Sequence, residues 1–313
     1  MSGAPAVRLQ RIEPEQAGQR IDNYLLGQLK GVPRTHVYRI LRKGEVRVNK
    51  GRVKPTYRLQ AGDLVRVPPV RTAATGGEPP PRQAGERLLR RVLHEDAHLL
   101  ALDKPAGVPV HAGTGRDWGV IEALRAMHAA PLELVHRLDQ PTSGVLICAK
   151  DRASLAALQA SLRAGAWHKR YVLLVRGHWP DTLLRVDVPL DTTTRRGGER
   201  TTTVSPAGRP AATRFDVRAR YATATLMEAV LETGRTHQIR VHAAHAGHPL
   251  AGDDRYGDPA FDAELRRHGL RRLFLHAETL RLPHPAGSDA LALHAPLPAE
   301  LSELLARLAV AAA

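Results

Sequence analysis

Cys148 is the only cysteine among 313 residues. A lone thiol excludes an internal disulfide and any zinc site built on a cysteine cluster, and it fits a reducing compartment. Long apolar runs are missing too. No stretch free of charged residues extends much past about a dozen positions, whereas a spanning helix needs about 20. The opening residues, MSGAPAVRLQRIEPEQ, lack the apolar core of a secretory signal. The sequence therefore reads as cytoplasmic, with no membrane partner. Internal repeats are absent. What is abundant is positive charge: 46 Lys+Arg against 31 Asp+Glu give a formal net charge of +15. That balance is the footprint of a protein that meets polyanions, most often nucleic acid. With 43% hydrophobic and 25% charged residues the chain is globular, and its length suggests two domains.

The charge is unevenly spread. Residues 1–70 hold 14 Lys/Arg and 5 Asp/Glu, a net of +9, and the remaining residues carry only +6. Residues 68–83, PPVRTAATGGEPPPRQ, with five prolines and two glycines, read as an exposed linker between a small and a large piece. In the small piece Ile21, Tyr24, Leu25 and Leu29 mark one amphipathic helix. A second follows Pro33, with Val37, Ile40 and Leu41 inward and Arg34, Arg39, Arg42 and Lys43 off that stripe. The segment EVRVNKGRV predicts a hairpin around an Asn-Lys-Gly turn, closed by a strand at Leu64–Val67. Ten basic residues and one acidic residue lie between Lys30 and Arg58. A module that grips a phosphate backbone would be built this way, and so would a merely solvated face.

The large piece opens with an apolar strand that breaks at Lys104-Pro105-Ala106-Gly107. ELVHRLDQPTSGVLICAK predicts a strand, a polar loop from His136 to Gly144, and another strand. A helix over about 152–162 buries Leu155, Leu158 and Leu162. KRYVLLVRG, ATRFDVRARY and TATLMEAVLE read as strands. TGRTHQIRVHAAHAGHP opens at Gly234 and becomes a helix from about Thr236, which can cap it, to His245. Strands in runs with interspersed helices predict an α+β fold with a mixed, largely antiparallel sheet, joined to a small N-terminal α/β domain.

Two clusters could carry chemistry. The loop HRLDQPTSG displays His136, Arg137, Asp139, Thr142 and Ser143 between rigid strands, although Asp139 and Thr142 could equally be satisfying backbone donors in a structural turn. GRTHQIR offers Arg235 and Arg240 to anions. His237, His242, His245 and His248 invite a metal, yet no HExxH spacing accompanies them, and packing or surface roles suit them better. Ser143 lacks the Gly-x-Ser-x-Gly elbow of a serine nucleophile.

The strings HRLDQPTSG, KRYVLLV, TGRTHQIRVH, AGDDRYG and LFLHA, in that order over roughly residues 88–310, resemble the RluA-type family of pseudouridine synthases and its RluC-like branch, which acts on large-subunit (23S) ribosomal RNA. Residues 18–70 resemble the S4 RNA-binding domain. The resemblance implies an S4-like domain over 18–70, a linker over 71–87 and a catalytic domain over 88–313. It implies cofactor-free, metal-free isomerisation of uridine. Asp139 is implied as the essential carboxylate and Arg235 as its guanidinium partner, with Arg137 filling the gap left by a flipped nucleotide. Tyr171 is implied against the uracil ring, helping to remove the C5 proton, and Leu275 and His276 in the pocket wall. Arg34, Thr35, Arg39, Arg42 and Lys43 would touch structured RNA. The implied partner is ribosomal RNA, naked or partly assembled, met by a monomer with no obligate protein partner. One departure from the family is Gln140-Pro141, where charged or polar pairs are usual; it should alter loop stiffness. Two other functions fit the residues: a non-catalytic S4-type RNA-binding protein, and a metal-dependent hydrolase using the histidines.

Overall fold

The apolar spacing of the first seventy residues becomes two helices, α1 (Ile21–Gln28) and α2 (Arg34–Arg42). The computed structural model describes residues 7–29, 32, 34–70, 80–112, 117–194, 200–287 and 289–311. The chain divides into two compact units, Met1–Gly77 and Glu78–Ala313.

In the first unit Ile21, Tyr24, Leu25, Val37, Ile40 and Leu41 are all buried in one core. Arg39, Arg42 and the following Lys43 are left exposed. The side chains of Arg34 and Thr35 lie outside the described ones. Strands β1 (Arg8–Arg11), β2 (Arg47–Val48) and β3 (Leu64–Val67) form an antiparallel sheet in the order β1-β3-β2. The predicted hairpin turn forms around Asn49-Lys50, where Val48 and Gly51 exchange backbone hydrogen bonds of 3.0 and 2.8 Å, but its arms do not extend into a ladder. Asn49 and Lys50 take positive φ of 48° and 68°, turning the chain, and the longer pairing of β2 is with β3. Asp63 secures this arrangement by accepting hydrogen bonds from the Asn49 amide (2.7 Å), the Tyr57 hydroxyl (3.0 Å) and the Gln60 N–H (2.9 Å).

The second unit begins with α3 (Arg82–Leu89), which corrects the reading of 71–87 as linker. Residues 71–79 lie outside the described residues, but Pro81 precedes the first turn, where its missing N–H costs nothing. Leu88 is buried, and Gly85 packs so tightly on the next helix that a Cβ there would stand 2.4 Å from Met127 Cγ. Proline-rich composition concealed a helix because the prolines stand before it, not in it.

There follow β4 (Val92–Glu95), β5 (Leu99–Lys104), α4 (Val120–Arg125), β6 (Glu133–Leu134), β7 (Ser143–Ala149), α5 (Arg152–Arg163) and β8 (His168–Arg176). Then come β9 (Arg185–Asp187), β10 (Leu190–Thr194), β11 (Arg200–Val204), β12 (Ala212–Arg220) and β13 (Ala224–Leu231). The chain ends with α6 (Gln238–His245), α7 (Pro259–Arg267), β14 (Leu275–Pro283), β15 (Ala290–His294) and α8 (Ala299–Ala311). Ten strands make one sheet, ordered β4-β5-β7-β14-β8-β13-β12-β9, with β15 on β14 and β6 on β7. Every pairing is antiparallel except β14 with β7, so the fold is the expected α+β class with a mixed, largely antiparallel sheet.

Period-two alternation builds a core on each face. Leu100, Leu102, Leu146, Cys148, Tyr171, Leu173 and Val175 pack on one side with α3, α4 and α6. Leu99, Ala101, Val145, Ile147 and Ala149 face α5 on the other, and Val172 and Leu174 face α7 and α8. Burial pushes the Cys148 thiol up to about 12, which leaves it an inert packing group. No helix among the described residues is long and apolar enough to cross a membrane.

Candidate active site

The loop from His136 to Thr142 enters β7, and a second chain segment holds it in place. In the β5–β7 ladder Lys104 is paired with Gly144, so the turn after β5 lies beside the loop. The Gly107 N–H donates to the Gln140 carbonyl (2.8 Å), and the Gln140 side-chain amide donates back to the Gly107 carbonyl (3.0 Å). Gln140, which departs from the family pattern, is thus a clamp. Lys104 is fully buried, and its ammonium donates to the carbonyls of Pro105 (2.9 Å), Val108 (2.9 Å) and Gln140 (3.2 Å). Burial pushes it down to about 7, with the charge of Asp139 opposing that shift. At the loop's end, Gly144 takes φ 111° against the Ala277 carbonyl, where a Cβ would come within 2.2 Å. Only glycine fits this crossing.

Asp139 opens onto a cavity of about 880 Å³, within the size range of small-molecule sites. Its walls come from the loop, the end of α5, β8, the β12–β13 pair and the start of α6. Tyr171 and Leu275 line it, with Arg137 exposed at its edge. Burial first, and then the Asp139 charge, push the Tyr171 hydroxyl well above the ordinary tyrosine range, so it is protonated at neutral pH. His237 Nε2 stands 3.9 Å from Asp139 Oδ2; burial pushes that imidazole down and Asp139 opposes it. The Tyr256 hydroxyl lies 2.8 Å from His237 Nδ1.

The start of α6 differs from expectation. The helix begins at Gln238, two residues later than the sequence suggested, and the left-handed conformation falls on His237 at φ 54° rather than on Gly234. Thr236 is not the cap. The turn is secured instead by the Gln238 side-chain oxygen, which accepts from the Thr233 hydroxyl (2.8 Å) and the Arg235 N–H (3.0 Å). A non-glycine residue at positive φ is strained and clusters at functional sites.

Arg235 lines the cavity, but its Nε donates to the Pro210 carbonyl at 3.1 Å, and among the described residues no ion pair joins it to Asp139. The enclosed guanidinium that the Asp139 charge reaches is Arg240. Arg240 is buried, forked onto Asp253 through Nε (2.7 Å) and Nη2 (2.5 Å), and stacked 5.1 Å over the Tyr256 ring. Asp253 also accepts the N–H groups of Arg255 and Tyr256, so the AGDDRYG segment orients Arg240. His276 is the other correction. Leu275 faces the cavity, and alternation sends the next residue away from it. His276 is fully buried, with Nδ1 2.9 Å from the Ser143 hydroxyl and Nε2 3.0 Å from the Ala295 carbonyl. Ser143 also takes a bond from Arg272 (2.9 Å), which fixes it as a packing group.

The other histidines do not converge. His242 is held by the Thr213 hydroxyl (2.9 Å) and the Val188 carbonyl (3.2 Å), His248 lies 2.9 Å from the Arg176 carbonyl, and His245 is exposed. No group of three metal-ligating side chains occurs among the described residues.

His136 underlies the loop. Its Nε2 accepts the Ile147 N–H at 3.1 Å, its ring meets Trp167 edge-on, and burial, followed by the Lys169 charge, pushes it down to about 3. Its unfolded value is near 6.5. Between those limits the unfolded chain binds the extra proton, so the stability due to neutral His136 is complete above about pH 6.5 and lost as pH falls towards about 3. Urea midpoints measured across that window should fall more steeply for the wild-type chain than for His136→Gln; parallel curves would contradict the assignment.

Residues 98–245 match the RNA pseudouridylate synthase family, and residues 19–65 match the S4 domain. The ribosomal large subunit pseudouridine synthase C of Pasteurella multocida (strain Pm70) is 50% identical over 307 residues, covering 97% of this chain and 94% of that protein. Its namesake in Escherichia coli (strain K12) is 51% identical over 310 residues, covering 97% of both. The chain belongs to the RNA pseudouridylate synthase family. Among solved structures, human RNA pseudouridylate synthase domain containing 4 matches with a TM-score of 0.59 and 26% identity, over 73% of this chain and 96% of that one. Family membership makes this chain an RNA-modifying isomerase, and the scattered histidines give the hydrolase reading no site.

Proposed function

We propose that the protein converts uridines of large-subunit ribosomal RNA to pseudouridine, with Asp139 as the reacting carboxylate. The observation that carries this reading is the position of Asp139: a part-buried acid at the cavity wall, facing Tyr171 and bordered by the charges of Lys104 and Arg240. The reaction breaks the N1–C1′ bond, turns the uracil, joins C5 to C1′, releases the C5 proton and leaves N1 protonated. Atoms and electrons balance without an external reactant. Asp139 acts on the sugar, either at a carbon or by taking a sugar proton. Arg240, rather than Arg235, is the enclosed cation whose charge faces Asp139, and Arg235 is left to meet RNA at the wall. Arg137, exposed and planar, fills the stack that the flipped nucleotide leaves. Tyr171 lies against the uracil; because its hydroxyl is protonated, it takes the C5 proton only as it passes its own on. Leu275 supplies apolar wall.

Incubating the full chain with an unmodified large-subunit rRNA transcript, then mapping pseudouridine along it, should reveal discrete modified positions. A transcript left wholly as uridine would refute the reading. The S4 unit, with Arg39, Arg42 and Lys43 exposed on and after α2, supplies backbone affinity. Removing residues 1–77 should therefore weaken binding to that transcript and flatten its salt dependence, since each lost phosphate contact lowers the slope by about 0.7–0.9. An equal slope would leave the unit without this task. The protein acts as a monomer in the cytoplasm, on naked or partly assembled ribosomal RNA.

A further inference from the structure

Among the described residues, no acid pairs with the charge of Lys169. It stands on β8 two residues before Tyr171, so the pleat turns both toward the cavity, while Arg170 between them pairs with Glu228 at 2.8 Å. The buried Lys104 ammonium is saturated by three carbonyls, and Lys150 bonds Glu95 and the Asp96 carbonyl. Lys169 has no hydrogen bond or ion pair among the described residues. Burial alone pushes its ammonium down, with no acidic group opposing the shift. An enclosed cation without a partner is costly to fold around.

The surroundings show what would relieve it. A Cβ on Gly234 would stand 3.8 Å from Lys169 Nζ, in van der Waals contact; the glycine leaves that side of the ammonium uncovered. The cavity lining also holds Arg137, Arg163, Arg214 and Arg235, while its acids are Asp139 and a Glu232 already engaged by Arg185 at 2.9 Å. The cavity lining is therefore mostly cationic, with Asp139 as its one acid that no cation engages closely among the described residues. A compact, strongly hydrated point charge suits a phosphate oxygen. We infer that Lys169 anchors a phosphate subsite in the cavity wall, taking the phosphodiester of the nucleotide lodged beside Asp139 and Tyr171. This rests on the reading of the cavity as a flipped-nucleotide site.

The test uses full-length Lys169→Met and Lys169→Arg with an unmodified large-subunit rRNA transcript. Lys169→Met should bind about tenfold more weakly, as for a lost charge-assisted hydrogen bond. Its plot of log affinity against log salt should flatten by about 0.7–0.9, the share of one phosphate. The kinetic loss should fall in KM more than in kcat, and Lys169→Arg should recover most of it. Because an unpaired, half-buried charge is replaced by an apolar chain, Lys169→Met should melt at or above the wild-type temperature. An unchanged salt slope overturns the subsite. A variant that unfolds or melts lower overturns it too, since the charge would then be balanced inside the fold. The two readings fail separately: pseudouridine formed with equal slopes sinks only the subsite, and a slope difference without pseudouridine sinks only the proposed reaction.

Discussion

Replacing Asp139 with Asn should reduce pseudouridine formation by at least about 10⁴-fold, the scale seen when a reacting group is removed from an active site. Affinity for the RNA should stay within about tenfold, because the basic groups of the S4 unit and of the cavity wall are untouched. The separation follows from where Asp139 sits. Among the described residues its carboxylate makes no hydrogen bond, His237 Nε2 stands 3.9 Å away, and it retains 19% side-chain exposure. The loop is held by backbone and Gln140 contacts that Asn preserves. Release of tritium from 5-tritiated uridine in the transcript reads the chemistry, and filter binding reads affinity. Turnover near the wild-type rate would remove Asp139 from the reaction, and a collapse of binding would give it a different role.

Arg240→Met should have the second largest effect, on stability and activity together. Asp253 would be left as an anion whose side chain has no exposure, and breaking a buried pair from one side costs about 3–5 kcal/mol. The double substitution Arg240→Met with Asp253→Leu removes both charges, so much of that stability should return while activity does not. Urea unfolding measures the first and tritium release the second. Full activity in the double variant would show that Arg240 only props up the fold, and a stability loss below about 1 kcal/mol in the single variant would show that the pair is not sealed from water.

Local apolar periodicity made most elements legible. Alternation in KRYVLLVRG placed Tyr171, Leu173 and Val175 on one face, and the i, i+3, i+4 spacing around Leu25 placed α1. Readings that depended on partners distant in sequence failed. The turn at Asn49-Lys50 was legible, but nothing near Val48 announces that pairing across it stops at Gly51 while β2 runs on against Leu64–Val67. Arg235 and Arg240 were equally available to anions on paper; the choice between them is made by Asp253, which takes the Arg240 fork, and by Pro210, which takes Arg235. Asp253, thirteen positions after Arg240 in AGDDRYG, was the signal that could have separated them. His276 looked like pocket wall because it follows Leu275, yet alternation along β14 should have sent the two side chains to opposite faces. Lys104 read only as the end of a strand, and its hold on Gln140 spans 36 residues.

That last tether has a consequence for how the enzyme matures. The reactive loop is not a self-sufficient turn; its shape is borrowed from the end of β5, through Gly107 and Lys104, and from β14, through the Gly144 crossing. The observed shape of the loop therefore depends on contacts drawn from both ends of the second unit. A chain cut before β14 should lose the Gly144 crossing, so turnover would report on completion of the whole sheet.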